Sequence, residues 1–177
     1  MSKPNSLAGG EQPDYIRALL SYLGEKDPLS VFAETPNALR AASGGLSETF
    51  LITPEGPAKW SVLQVVQHLG HTEVALGFRY RKVLAEDSPA LPAIDQDRWV
   101  SHLYPELASL EESLEDFAAL RAVNLRLLHR VTENEWTRHG IHSQRGKETL
   151  GQMVRLYAAH DCYHLHQIQR IRLAIGA

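Results

Sequence analysis

Apolar residues recur along this chain at intervals of three and four, the spacing that gathers them on one face of a helix. Ile16, Leu19, Leu20 and Leu23 form such a stripe over Tyr15–Leu23. A second helix is expected from Thr35-Pro36, a capping residue followed by proline at the first helical position, to Gly44-Gly45. Ser61-x-x-Gln64 has the form of a capping box, in which hydroxyl and amide oxygen each accept from the other residue's free backbone N–H. It opens a long helix to about Leu84, with Val62, Val65, Val66, Leu69 and Leu76 at its apolar positions. Pro89 and Pro92 mark an extended connection through Asp97.

A further long helix is expected from about Pro105 to Val131, burying Leu107, Leu110, Leu114, Phe117, Leu120, Leu125 and Leu128. Glu111, Glu112, Glu115 and Asp116 then make a solvated face. Gly140 and Gly146 frame a loop, and Thr149-x-x-Gln152 is a second capping box opening a last helix to about Leu173. No segment alternates with period two, so no sheet is expected, and no internal repeat is found. The chain reads as all-α, four long or medium helices with a short extra N-terminal one. A disordered tail over residues 1–12 precedes a single domain over residues 13–177.

Composition narrows the partners. The 177 residues suffice for one domain with a sizeable core, and 44% hydrophobic with 22% charged residues is ordinary for a globular protein. With a net charge of −3 and scattered Lys and Arg, neither nucleic acid nor an anionic membrane is expected as a partner. No apolar run has the length of a membrane span. Cys162 is the single cysteine, which rules out an intrachain disulfide and makes the cytoplasm the expected compartment.

Nine histidines offer chemistry. His160 and His164, in Tyr157-Ala-Ala-His-Asp-Cys-Tyr-His-Leu-His-Gln-Ile, lie four apart and project from one helix face. His68 falls near the stripe of Val65, Leu69 and Leu76 and so faces the bundle. Metal sites in bundles are built from inward side chains on facing helices. Three neutral imidazoles suit zinc, nickel or iron(II) and leave positions open for water or substrate. The bland alternative is that each is a satisfied core or surface histidine. His166 points about 200° away from His164, and Cys162, out of phase with the pair, reads as a small buried hydrophobe. His71, one turn beyond His68, reads as a fourth ligand, a proton carrier or a rim histidine. Tyr157 and Gln167, one turn to either side of the pair, are candidate orienting groups. His139 and His142 are expected near solvent, and Glu73 to pack or pair within the bundle.

Several motifs carry a family resemblance. Trp60-Ser61 followed by His68-Leu69, then Gly140…Gly146-Lys-Glu-Thr149-Leu150, then His160-Asp-x-x-His164-x-x-Gln167-Ile168, resembles the DinB-like (YfiT-type) superfamily of four-helix metalloproteins. The stretch Arg79-x-Arg81…Leu84-x-Glu86-Asp87-x-Pro89…Trp99 resembles one branch of it. The likeness spans about Thr35 to Arg172. It implies an up-and-down bundle, a homodimer, and a divalent metal on His68, His160 and His164. Relatives usually read His-Leu-Ala-Asp where this chain has His68-Leu69-Gly70-His71, which puts an extra imidazole beside the site. The resemblance further implies hydrolase-like or thiol S-transferase chemistry on a small-molecule substrate, with a low-molecular-weight thiol as co-substrate in the second case. The competing expectation is a non-catalytic, stress-associated bundle that binds metal or a small ligand. Structural zinc is usually closed by four ligands, so an open three-histidine site argues against a merely bracing ion.

Overall fold

The computed structural model describes residues 12–103 and 109–177, and within them each long helix after the first begins at a side chain that caps it. The helix α1 covers Gln12–Leu23. The expected tail lies outside the described residues except for Gln12, which begins α1. Asp27 caps α2 (Pro28–Ser43) by accepting from Ser30 N at 2.8 Å. The short α3 spans Glu48–Ile52. The capping boxes Ser61/Gln64 and Thr149/Gln152 open α4 (Val62–Ala85) and α7 (Leu150–Ile175) as expected. Between them lie α5 (Gln96–His102) and α6 (Leu110–Leu128), the latter opened by a third box, Ser109/Glu112.

Four expectations are corrected. The start of α2 is Asp27-Pro28, so Pro36 stands inside the helix and buried Thr35 donates its hydroxyl to Val31 O at 2.7 Å. Proline there removes the N–H that would meet Phe32 O, and Arg121 Nη1 donates to that carbonyl instead, at 3.1 Å. Asp97 is not extended: Asp95 accepts from Arg98 N at 3.0 Å and starts α5. The helix expected to Val131 ends at Leu128, while its expected start at Pro105, with Leu107, falls outside the described residues.

The fourth correction is a small sheet. β1 (Ala90–Leu91) pairs in parallel with β2 (His139–His142), which pairs antiparallel with β3 (Gly146–Thr149). Strands of two and four residues are too short to show an alternation in sequence. Gly140 is required at the crossing, because a Cβ there would lie 2.7 Å from the Leu91 side chain and 2.9 Å from Pro89 O.

α2, α4, α6 and α7 form the bundle, with α1 laid against α7. α2 and α7 run one way and α4 and α6 the other, as the pairs Arg40–Glu111, Arg79–Tyr157 and Arg172–Ala42 require. The four-helix bundle is therefore as expected, but α4 and α6 are parallel neighbours where a plain up-and-down order alternates. The segment with β1 and α5 makes the return run between them.

Two apolar clusters fill the bundle, one around Phe32, Tyr80, Leu128 and Met153, the other around Leu39, Val65, Phe117 and Ile168. Each such fully buried side chain contributes about 1.5–3 kcal/mol. Arg121 lies between the clusters, its guanidinium 4.1 Å from the Phe32 ring centre and 4.8 Å from that of Phe117. Among the described residues no helix is long and apolar enough to cross a membrane.

Candidate metal centre

α4 and α7 are antiparallel, and their facing stripes bring His68 against His160 and His164. The Nε2 atoms of His68 and His160 are 3.1 Å apart, and those of His160 and His164 3.0 Å. All three side chains are buried. They are the one group of three His, Cys, Asp or Glu among the described residues whose ligand atoms lie within 4.8 Å of one another.

The donor set fits a cation. His160 Nε2 meets two neighbours but carries either one hydrogen or one lone pair, so the three nitrogens cannot form a fully satisfied hydrogen-bond chain. Nitrogens bound to one ion at about 2.0–2.1 Å stand roughly 3.3 Å apart in a tetrahedral arrangement. His164 Nδ1 lies 2.7 Å from Gln167 Oε1, an acceptor, which places the ring proton on Nδ1 and the lone pair on Nε2.

Electrostatics favours the neutral rings that ligation needs. Burial, then His164 and His71, holds His68 well below the usual histidine range. Burial, then His164 and His68, does the same at His160. Burial lowers His164 to about 4, against the opposing hydrogen bond of Gln167.

Aromatic side chains wall the cluster. The Trp60 ring lies 4.7 Å from that of His68 and 6.3 Å from that of His164. Tyr157 stands 5.6 Å from His160, its hydroxyl accepting from Arg79 Nη1 at 2.8 Å. Arg79 also donates to Pro92 O at 2.7 Å, which ties the site to the segment before α5.

The remaining candidates separate clearly. His71 is half-buried, stands edge-on to Trp99 at 6.0 Å, and is outside the convergent group. Its Nδ1 is buried without a hydrogen-bond partner among the described residues. Cys162 is buried in the apolar core, and burial pushes its thiol pKa up. His166 is exposed beside Tyr22. Half-buried His139 lies 3.2 Å from Ser88 Oγ. His142, expected near solvent, is buried instead, because the hairpin turns its ring inward and its Nδ1 accepts from Gln144 N at 3.2 Å.

Glu73 pairs within the bundle, accepting from Arg121 Nη2 at 2.9 Å and from Asn124 at 3.0 Å. Arg121 Nη1 also bonds Asp161 at 2.7 Å. Sequence reading missed Arg121 and Asp161, and also the parts played by Trp60 and Arg79. For Arg121 a signal existed: Leu114, Phe117, Arg121, Asn124 and Leu128 form one buried stripe.

The chain is similar to known proteins in sequence and in fold. Residues 32–168 match the model of the DinB superfamily. A Geobacillus thermodenitrificans protein named "Putative metal-dependent hydrolase" is 31% identical over 153 residues, covering 85% of each chain. A similarly named Geobacillus kaustophilus protein is 30% identical, covering 98% of this chain and 90% of its own. The solved structure of YfiT from Bacillus subtilis superposes with a TM-score of 0.79 at 25% identity, covering 99% of this chain and 94% of that one. It is described as a probable metal-dependent hydrolase with an unusual four-helix bundle topology. By the match of its fold and of most of its length, this chain belongs to the DinB superfamily.

Proposed function

We propose that this protein is a metal-dependent enzyme of the hydrolase type, acting on a small molecule at a divalent ion held by His68, His160 and His164. The observation that carries the reading is the convergence of three buried Nε2 atoms within hydrogen-bond distance and without a complete hydrogen-bond pattern. Zinc and nickel are the ions we favour, with iron(II) also suited to the ligand set. A divalent ion on neutral ligands supplies Lewis acidity, lowering the pKa of a nucleophile, whether water or a low-molecular-weight thiol.

The chain's own residues do the positioning. Gln167 fixes the ring of His164 and its tautomer. Arg79 anchors the hydroxyl of Tyr157, which orients a substrate beside His160. His71, with an unengaged nitrogen one turn along α4, serves as the proton carrier. Trp60 limits water around His68 and His164. Val74 and Phe78 on α4 and Val123 on the neighbouring α6 present apolar surface to solvent, in support of a homodimer.

The test is turnover. Protein prepared without an affinity tag and loaded separately with zinc, nickel or iron(II) is screened against esters and amides, then against electrophiles with a low-molecular-weight thiol. Ester or amide cleavage should vanish in His160→Ala and His164→Ala while their circular dichroism stays helical. Conversion only in the presence of thiol would assign S-transfer in place of hydrolysis. No metal-dependent conversion of any substrate class would favour a bundle that merely binds metal.

A further inference from the structure

A second constellation adjoins Tyr157. Between α1, the β2–β3 hairpin and the first turns of α7 lies a cavity of about 230 Å³. Ile16, Leu20 and Leu156 give it apolar walls, and Arg145, Lys147 and Arg155 give it cationic ones. Its lining carboxylate, Glu148, is held by Arg145 in a two-pronged pair at 2.9 and 2.7 Å. That pair neutralises one cation. Lys147 and Arg155 have no ion-pair partner among the described residues.

Arg79 adds to the surplus. It is 3% exposed, and the groups it donates to, the Tyr157 hydroxyl and Pro92 O, are both uncharged. A buried guanidinium without a counter-ion is costly, which makes an anion nearby favourable. The same positive field acts on His142, whose pKa falls to about 4 through burial and then through Arg145 and Arg79. The guanidinium carbon of Arg145 is 6.0 Å from the Tyr157 ring centre, and that ring is 5.6 Å from His160.

We infer that this cavity binds a small organic anion, its carboxylate or phosphate at Arg145, Lys147 and Arg155 and its apolar part against Ile16, Leu20 and Leu156. The cavity is smaller than the roughly 300–1,000 Å³ of drug-sized pockets, so the ligand is short.

The test uses the full chain and calorimetry at low salt, with hexanoate as the probe, hexanamide as its neutral counterpart and inorganic phosphate as an anion without a tail. Hexanoate should bind saturably and more tightly than either control. The double variant Lys147→Gln/Arg155→Gln should weaken it by up to about tenfold, the sum of two exposed charge contacts. Ile16→Trp, which crowds the apolar side of the cavity, should weaken binding while metal content holds. Absence of hexanoate binding, or equal binding in wild type and both variants, overturns the pocket. Phosphate binding as tightly as hexanoate overturns its apolar half.

Discussion

Arg121 donates to the carbonyl oxygen of Phe32 at 3.1 Å, the acceptor that Pro36 leaves without its helical N–H. The same guanidinium binds Asp161 at 2.7 Å and Glu73 at 2.9 Å, all three side chains being 2% exposed. One cation thus compensates a broken helix bond and two buried carboxylates, on α2, α7 and α4 at once. The network ties α4 and α7 together through α6, behind the histidines that they carry.

Removing Arg121 should therefore cost more than one hydrogen bond. Arg121→Met strands two buried acids, and the expected loss is about 3–5 kcal/mol of unfolding free energy, read by urea denaturation. Pro36→Ala in that background should recover part of it, because the restored N–H reaches Phe32 O. Strict additivity of the two substitutions would mean that Arg121 does not serve that carbonyl.

Gln167 should act on metal affinity without reaching the metal. Gln167→Leu keeps the volume roughly but removes the acceptor that fixes His164 Nδ1–H. Affinity should fall about 10–100-fold with the fold intact, measured by competition with a chromophoric chelator. Unchanged affinity would reduce Gln167 to a packing residue.

Acid should destabilise the metal-free protein in a defined window. His142 has its pKa lowered from 6.5 to about 4, chiefly by burial and next by Arg145 and Arg79. As pH falls, the unfolded chain takes up this proton first, so the contribution of His142 is complete above pH 6.5 and is lost between 6.5 and about 4. His164, also lowered to about 4, adds in the same direction. Thermal melts across this range should show a shallower decline in His142→Gln than in wild type. Identical slopes would show that His142 is not held neutral.

What the sequence disclosed was what local chemistry decides. Ser61/Gln64 and Thr149/Gln152 announce their helices because a capping box is complete within four residues, and those helices set the phase of His68, His160 and His164. Asp27-Pro28 and Thr35-Pro36 carry the same local signal of a capping residue before proline, and only the distant Arg121 makes Pro36 tolerable inside α2. His142 looked like a loop residue because the hairpin that buries it pairs with Ala90–Leu91, far along the chain. Asp161 and Arg121 are charges in buried stripes, and their partners lie on other helices where no spacing rule reaches them.

The central claim is that His68, His160 and His164 hold one divalent ion, and elemental analysis of untagged protein after reconstitution and dialysis at neutral pH tests it most directly. Wild type should retain close to one ion per chain, while His160→Ala and His164→Ala lose it with their helices intact. Metal-free wild type under those conditions, or variants that keep a full complement, would contradict the account.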